Sequence, residues 1–288
     1  MDISKKLLKG RYQLIERIAN KELTSLYKAR DVHKDRLVAI KTISRNNLHE
    51  QKFISYGQQQ ILFSKRMGKG FLIPVFDFGV GDERYFLVFE WVDSLNLKQV
   101  LACFNDGCLL IEAAAIILQL CQGLAAAHAM GFVHGNINTQ NILLTADGYV
   151  RVVDFGLTSL WSPPGLTKAE GQVADVFALG KIFSKIIGQK ELSTSRLKCV
   201  KIVKPVFKQL RLGMRSNLSA VIDRACEVSL TRRYPDACEL LKAVEDVLRK
   251  EYCMSNPGRK LTPKSFLQHS FANTVHKLHK ISKDLFNF

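Results

Sequence analysis

The sequence predicts an α+β chain in two parts, a small antiparallel β-rich region followed by a larger, mostly helical one. Three observations predict it. Runs of β-branched and aromatic residues broken by polar turns fill the first third of the chain. Long apolar stretches with helical period dominate after Asp93. The chain has 288 residues, 47% hydrophobic and 24% charged, an ordinary globular composition with ample length for a buried core.

The elements follow in order. RYQLIERI, SLYKARD and LVAIKTI read as strands. The polar stretch Asn46–Gln60 reads as a lead into a short helix, QQQILFSKRM. IPVFDFGVGDERYFLVFEWV gives two more strands, with Gly81-Asp82 as a hairpin turn. Helices are expected over Leu109–Met130, Val173–Ile187, Leu218–Cys226 and Cys238–Leu248. Between the first two lies a short hairpin, NILLTADGYVRVVDFG, turning at Asp147-Gly148. The boundaries fall at 11–93, 94–250 and 251–288. In the last segment SNPGRK reads as a linker. Thr262 then offers an N-cap and Pro263 the first helical position. Leu267, Phe271, Val275, Leu278, Ile281 and Leu285 form the stripe of a basic amphipathic helix. That stripe fits docking on the helical region, a partner's groove, or an anionic membrane surface favoured by Lys277, Lys280 and Lys283.

Charge and cysteine usage narrow the setting. The formal net charge of +16 suits an acidic protein partner, nucleic acid or an anionic membrane face, and equally a solvated, repulsive surface. No aromatic-interleaved basic strip, zinc module or helix-turn-helix signature points to nucleic acid in particular. Seven cysteines without a CxxC pair read as reduced, packed thiols of a cytosolic protein; Cys103, Cys108, Cys121, Cys226 and Cys238 mostly sit in apolar surroundings. No Cys/His cluster has metal-ligand spacing. MDISKKLLKG lacks a signal-peptide core. The most apolar run is interrupted by Glu112, Gln119, Gln122 and His128, so a buried helix is expected rather than a membrane span. The expected location is the cytoplasm, with a signal-peptide-independent route of secretion left open.

The chemistry-bearing motifs are VAIK (Val38–Lys41), FLVFEWVDSLNLKQVL, VHGNINTQNILL (Val133–Leu144), DFGL (Asp154–Leu157), ADVFALG (Ala174–Gly180) and LTRRYPDACEL (Leu230–Leu240). In this order they resemble a protein kinase, specifically the bacterial members of the eukaryotic-like serine/threonine family, from about Arg11 to Leu248. The resemblance implies a bilobal kinase-like fold, a small antiparallel β lobe plus a mostly helical large lobe. It makes Lys41 a ligand of nucleotide α/β-phosphates, with Ala39 on the same nucleotide-binding strand. It makes Phe89 the back of an adenine pocket, Leu143 its apolar floor, and the backbone of Glu90 and Val92 its edge contacts. Asn141 and Asp154 would hold Mg²⁺, and ATP with Mg²⁺ would be the cofactor. Asp175 would anchor the backbone of the catalytic loop, and His134 and Phe155 would stack in the apolar spine.

The departures from the family pattern carry as much weight. IANKELTSLY (Ile18–Tyr27) has no glycine, and Ala19, Lys21 and Thr24 stand where glycines would let backbone N–H groups approach phosphates. Gln60 stands where a Glu would pair with Lys41; it can hydrogen-bond but not neutralise. Glu50 is a second candidate that falls early in the chain. Asn136 replaces the Asp that accepts the substrate hydroxyl proton, and Asn138 replaces a charge-neutralising Lys. Gly135 replaces the Arg that grips a phosphorylated activation loop. After DFG only LTSLWSPPG precedes the next helix near Lys168, leaving no platform for a peptide substrate. WSPP resembles the closing signature with Pro164 in place of Glu, so Arg233 loses its usual partner.

These observations lead to a degraded family member: a pseudokinase acting as a binding, scaffold or regulatory module with a protein partner, whose cleft either still takes ATP with Mg²⁺ or is inert, its motifs kept for packing. A weak or atypical protein kinase, or another phosphotransferase, is the first alternative, because positioning and metal carry much of this catalysis. A basic binder of nucleic acid or anionic membrane is the second.

Overall fold

Burial alternates along the first strands, and that alternation builds a sheet with one dry face. In a computed structural model, which describes residues 7–46, 48–68, 70–81, 84–103, 110–145, 148–161, 167–187 and 212–255, nine strands and six α-helices are present among the described residues. The tail helix expected after Thr262, Cys108, Pro164 and the turn positions Asp82 and Asp147 lie outside those residues. The chain forms two units, one running up to Asp93 and taking in the segment that begins at Leu157, the other running from Ser94 to Gly156 and resuming before α4.

The first unit is a six-stranded antiparallel sheet in the order β1-β2-β3-β4-β6-β5. Its strands are β1 (Leu7–Leu8), β2 (Tyr12–Asn20), β3 (Thr24–Asp31), β4 (Arg36–Ser44), β5 (Val75–Val80) and β6 (Arg84–Glu90). Tyr12, Leu14, Ala29, Val38, Ile40, Phe86 and Val88 pack together on one face. Period-two alternation on β4 and β6 sends Val38 and Ile40 to that core, and Ala39 and Lys41 to the other face. The sheet edge is tied by a bidentate pair: Arg11 donates Nε and Nη2 to the buried Asp31 carboxylate, both at 2.7 Å. Arg11 holds the Asp31 carboxyl down at about 2.

The single helix of this unit differs from the sequence expectation. Helix α1 spans Glu50–Met67, 18 residues, rather than a short segment entered from a polar loop. Phe53, Tyr56, Gly57, Phe63 and Ser64 form its buried stripe at helical spacing, hidden from a composition-based reading by the polar residues between them. Phe53 stacks on Tyr85 with centroids 4.5 Å apart, which lays α1 on the Lys41 face of the sheet. Gly57 is required for that approach, because a Cβ there would lie 2.5 Å from the Phe78 ring. A 3-10 turn, Leu157–Leu160, packs against α1 with both leucines buried.

The second unit begins with β7 (Ser94–Asn96) and α2 (Leu97–Cys103). Strand β7 pairs with the hairpin β8 (Ile142–Thr145) and β9 (Val150–Val152). Helix α3 (Leu110–Ala129) is apolar nearly all round and is correspondingly buried, from Ala113 through Leu118 and again at Leu120, Cys121 and Leu124. Helices α4 (Lys168–Ile187) and α6 (Ala237–Ser255) pack on it, and α5 (Leu212–Ala225) packs on both of them. Thr167 and Glu170 cap α4 reciprocally, with Thr167 N–H donating to Glu170 Oε2 at 2.8 Å and Glu170 N–H to Thr167 Oγ1 at 3.3 Å. Asp236 caps α6 by accepting from the Cys238 and Glu239 N–H groups. Among the described residues no helix is long and apolar enough to cross a membrane, and Cys121, Cys226 and Cys238 are free thiols. Strands β1 and β7 and the 3-10 turn were not expected from the sequence; each is too short to show a period.

Candidate functional site

The residues singled out from the sequence fall into two sets, one in each unit. In the first unit the register of β4 places Ala39 opposite Phe89 on β6 and Lys41 opposite Leu87. Ala39, Lys41, Leu87 and Phe89 therefore share one face, with Lys41 half-buried and Phe89 buried. Gln60 is half-buried on the stripe by which α1 covers that same face. Glu50 sits in the first turn of α1 and pairs with Arg45 at 3.0 Å. At about 1.5 Å per residue it is roughly 15 Å along the helix from Gln60. At the last residue of β6 the Glu90 N–H is committed to the Pro74 carbonyl at 3.0 Å, and Val92 follows just beyond the strand.

The hairpin joining β2 and β3 is closed on itself. Asn20 pairs with Ser25, the Lys21 N–H donates to the Thr24 carbonyl at 2.8 Å, and Ser25 Oγ donates to Asn20 Oδ1 at 2.7 Å. Lys21 is exposed, and Ala19 pairs with Leu26. The Lys21 amide therefore serves the turn.

In the second unit the loop His134–Asn141 is suspended from a single buried carboxylate. Asp175 on α4 accepts the His134 N–H at 2.7 Å, the Gly135 N–H at 2.9 Å and His128 Nε2 at 3.1 Å. His128 in turn accepts the Ala237 N–H on Nδ1 at 3.1 Å, so one imidazole joins α3, α4 and α6. The loop backbone is anchored by Asp175 as the resemblance implied. His128 was visible in the sequence only as an interruption of the apolar run. A buried polar group needs partners, and that is the signal by which it could have been singled out.

His134 is buried against Phe155, with ring centroids 4.5 Å apart and tilted by 48°. Its Nδ1 accepts the Asn136 N–H at 3.2 Å and its Nε2 donates to the Val153 carbonyl at 3.0 Å, which fixes the neutral tautomer. Burial pushes its pKa below the ordinary histidine value, against the raising effect of Asp175 and Asp154. Gly135 has φ 74°, in the left-handed region that a side chain there would occupy at a cost of about 1–2 kcal/mol. Asp154 holds a left-handed backbone with φ 68° although it is not glycine. Val153 N–H donates to the Asn141 carbonyl and Gly156 N–H to the His134 carbonyl, both at 3.0 Å, so the segment around Asp154 is pinned to the loop on both sides.

The three asparagines of the loop form one lattice. Asn138 Nδ2 donates to the Asn136 carbonyl at 3.1 Å and to Asn136 Oδ1 at 3.2 Å, while Asn138 Oδ1 accepts the Gln140 N–H at 2.9 Å. Asn141 Nδ2 donates to the same Asn136 carbonyl at 3.1 Å. Asn141 is buried and Asn136 exposed. Leu143 follows on β8, half-buried and opposite Asn96 and Arg151. Arg233 is buried. It donates Nε and Nη2 to the Glu227 carbonyl at 3.0 and 2.7 Å and Nη1 to the Val173 carbonyl at 3.2 Å, with its guanidinium 4.6 Å from the Phe177 ring. Among the described residues its hydrogen-bond acceptors are backbone carbonyls.

Comparison with known proteins agrees with this geometry. The protein kinase domain model matches residues 12–272. The chain is similar to the serine/threonine-protein kinase PknD of Mycobacterium tuberculosis, 27% identical over 265 residues that make up 83% of this chain and 40% of that protein. It is similar to PrkC of Bacillus subtilis, 25% identical over 258 residues, 81% of this chain and 40% of that one. The chain thus spans about two fifths of the length of these curated relatives. Among solved structures, the kinase domain of M. tuberculosis PknI superposes with a TM-score of 0.60 at 20% identity, covering 82% of this chain and 95% of that domain. An α+β kinase fold and a kinase-domain match over most of the sequence leave one conclusion: the chain belongs to the protein kinase family, among the bacterial serine/threonine members.

Proposed function

We propose that this domain is a pseudokinase: a kinase-family module that binds ATP with Mg²⁺ and acts through a protein partner rather than by phosphorylating protein. The observation that carries the reading is the loop His134–Asn141. Its backbone is anchored by Asp175, yet it contains no carboxylate, and the amide at Asn136 is hydrogen-bonded to a second amide at Asn138. An amide has no useful basicity, and losing a general base typically costs about 10²- to 10⁴-fold in rate. Lys41 is assigned to the phosphates, Ala39, Phe89, Glu90, Val92 and Leu143 to the base, and Asn141 and Asp154 to the metal. Gln60 is an amide, a hydrogen-bonding side chain that carries no charge of its own. The donor set fits a hard cation: Asn141 uses its Nδ2 within the loop, which leaves its oxygen as the coordinating end, and Asp154 adds a carboxylate. When bound, Mg²⁺ supplies charge neutralisation for the phosphates. The proposed location is the cytoplasm.

The test has two arms. ATP with Mg²⁺ at 100 times Kd should stabilise the protein by about 2.7 kcal/mol, a melting shift of several degrees, and Lys41→Ala or Asp154→Ala should remove the shift. Labelled ATP should give no transfer to protein above background in wild type. Asn136→Asp with Asn138→Lys should not yield an efficient kinase, because positioning carries the larger share of this reaction.

A second reading, an active protein kinase or other phosphotransferase, is favoured by the intact support of the loop by Asp175 and by the activity named in the relatives. Wild-type transfer abolished by Asp154→Ala would establish it and end the pseudokinase reading.

A further inference from the structure

The lattice of loop amides fixes which end of each side chain is left for a ligand. Asn138 Oδ1 accepts a backbone N–H from Gln140, so the other end of Asn138 is the donor. That donor meets Asn136 at 3.2 Å, so the Asn136 atom there is the acceptor Oδ1. The free choice of amide orientation is thereby removed at Asn136, and the end it has left for a ligand is an N–H₂ donor. Asn141 is fixed in the opposite sense. Its Nδ2 is spent on the Asn136 carbonyl, so its remaining end is an oxygen. Asn138 and Asn141 both donate to one carbonyl, that of Asn136, and Asn138 also holds the Asn136 side chain, so the Asn136 N–H₂ and the Asn141 oxygen belong to one hydrogen-bonded cluster with opposite polarities.

A cation with an anionic oxygen bound to it is the ligand chemistry that matches this pair. The cation suits the Asn141 oxygen, and the anionic oxygen, an acceptor only, suits the Asn136 N–H. A hydroxyl group awaiting deprotonation finds no base here. We propose that Asn136 is a phosphoryl-oxygen ligand, a specificity-determining contact to the terminal phosphate of metal-bound ATP, so that the loop has exchanged activation of a nucleophile for retention of the intact nucleotide. This inference rests on the nucleotide reading above.

Asn136→Asp is the informative variant. A carboxylate oxygen still accepts from Asn138, so the lattice survives, while the ligand end changes from donor to anion. The probes are ATP and ADP, each with Mg²⁺, titrated into the full chain as wild type, Asn136→Asp and Asn136→Ala. Asn136→Asp should weaken ATP by at least about tenfold, the size of a lost charge-assisted hydrogen bond. It should weaken ATP more than ADP, and more than Asn136→Ala does. The unliganded melting temperature should stay at the wild-type value. ATP binding by Asn136→Asp as tight as or tighter than wild type, with wild type binding normally, overturns this inference and leaves the nucleotide reading standing. Equal weakening of ATP and ADP overturns the assignment to the terminal phosphate. No nucleotide binding by wild type overturns both.

Discussion

The loop His134–Asn141 holds no carboxylate and the hairpin Ala19–Ser25 no glycine, and the two regions are built in different ways. The backbone of the loop is supported at both ends: Asp175 holds its entrance, and the Val153 and Gly156 N–H groups bind the Asn141 and His134 carbonyls. In the hairpin the backbone itself has closed, with the Lys21 N–H turned to Thr24. On the reading proposed above, one region has lost chemistry and kept geometry, and the other has lost the geometry that brings backbone donors to phosphate. Side-chain reversion can address the first kind of loss and cannot reach the second.

The largest effect should come from breaking the support of the loop. Asp175→Ala strands the His134 and Gly135 N–H groups and the His128 Nε2–H in a buried setting. The expected loss is on the order of 3–5 kcal/mol, read by urea unfolding, with hydrogen exchange rising across the second unit. A loss below about 1 kcal/mol would mean the loop is held elsewhere.

Acid should separate the two units next. His134 must stay neutral, and its folded pKa lies below its unfolded value. The unfolded state therefore binds more protons as pH falls. The second unit is fully supported above about pH 6.5 and weakens as pH drops from there toward the folded pKa, by at most about 1.4 kcal/mol per pH unit. Asp31 in the first unit has its pKa lowered from 3.8 to about 2 by Arg11, so its contribution persists above pH 3.8 and is lost only as pH falls through that range. Hydrogen exchange between those two windows should show protection falling in the second unit alone, and a uniform fall would remove the contrast.

Asn138→Lys should cost about 1 kcal/mol, because the Gln140 N–H loses its acceptor and the Asn136 carbonyl one of its donors. A stability equal to wild type would show the lattice to be incidental. Smallest is the effect of returning glycines to the hairpin. Ala19→Gly and Lys21→Gly should each destabilise by about 0.5–1 kcal/mol and leave ATP affinity unchanged, since the closed turn keeps its own hydrogen bonds. A gain in ATP affinity would show that the turn opens readily and that both regions lost chemistry alone.

Much of this was legible in the sequence. Strands β2 to β6 and helices α3 to α6 carried clear periods, and ordered motifs located Lys41, Asn141, Asp154 and Asp175. Helix α1 was underread because Gln51, Lys52, Gln58 and Gln59 mask a stripe that only the helical spacing of Phe53, Tyr56 and Phe63 reveals. The role of Asn138 was read as an absence, a missing Lys. Its actual work, binding the Asn136 carbonyl and the Gln140 N–H, depends on the path of the loop backbone, which no composition or period encodes. The partners of Arg233 were hidden for the same reason, since carbonyl oxygens leave no trace in residue identities.

The turn Leu157–Leu160 also sets an order of assembly. It supplies buried leucines against α1, so the first unit is discontinuous along the chain. During synthesis the sheet and α1 emerge well before Leu157 and Leu160, and the α1 surface they cover stays bare until the loop and hairpin of the second unit have been made. A nascent chain halted near Asp93 would therefore expose an apolar helix face that the finished protein hides, a natural hold for a chaperone on an incomplete product.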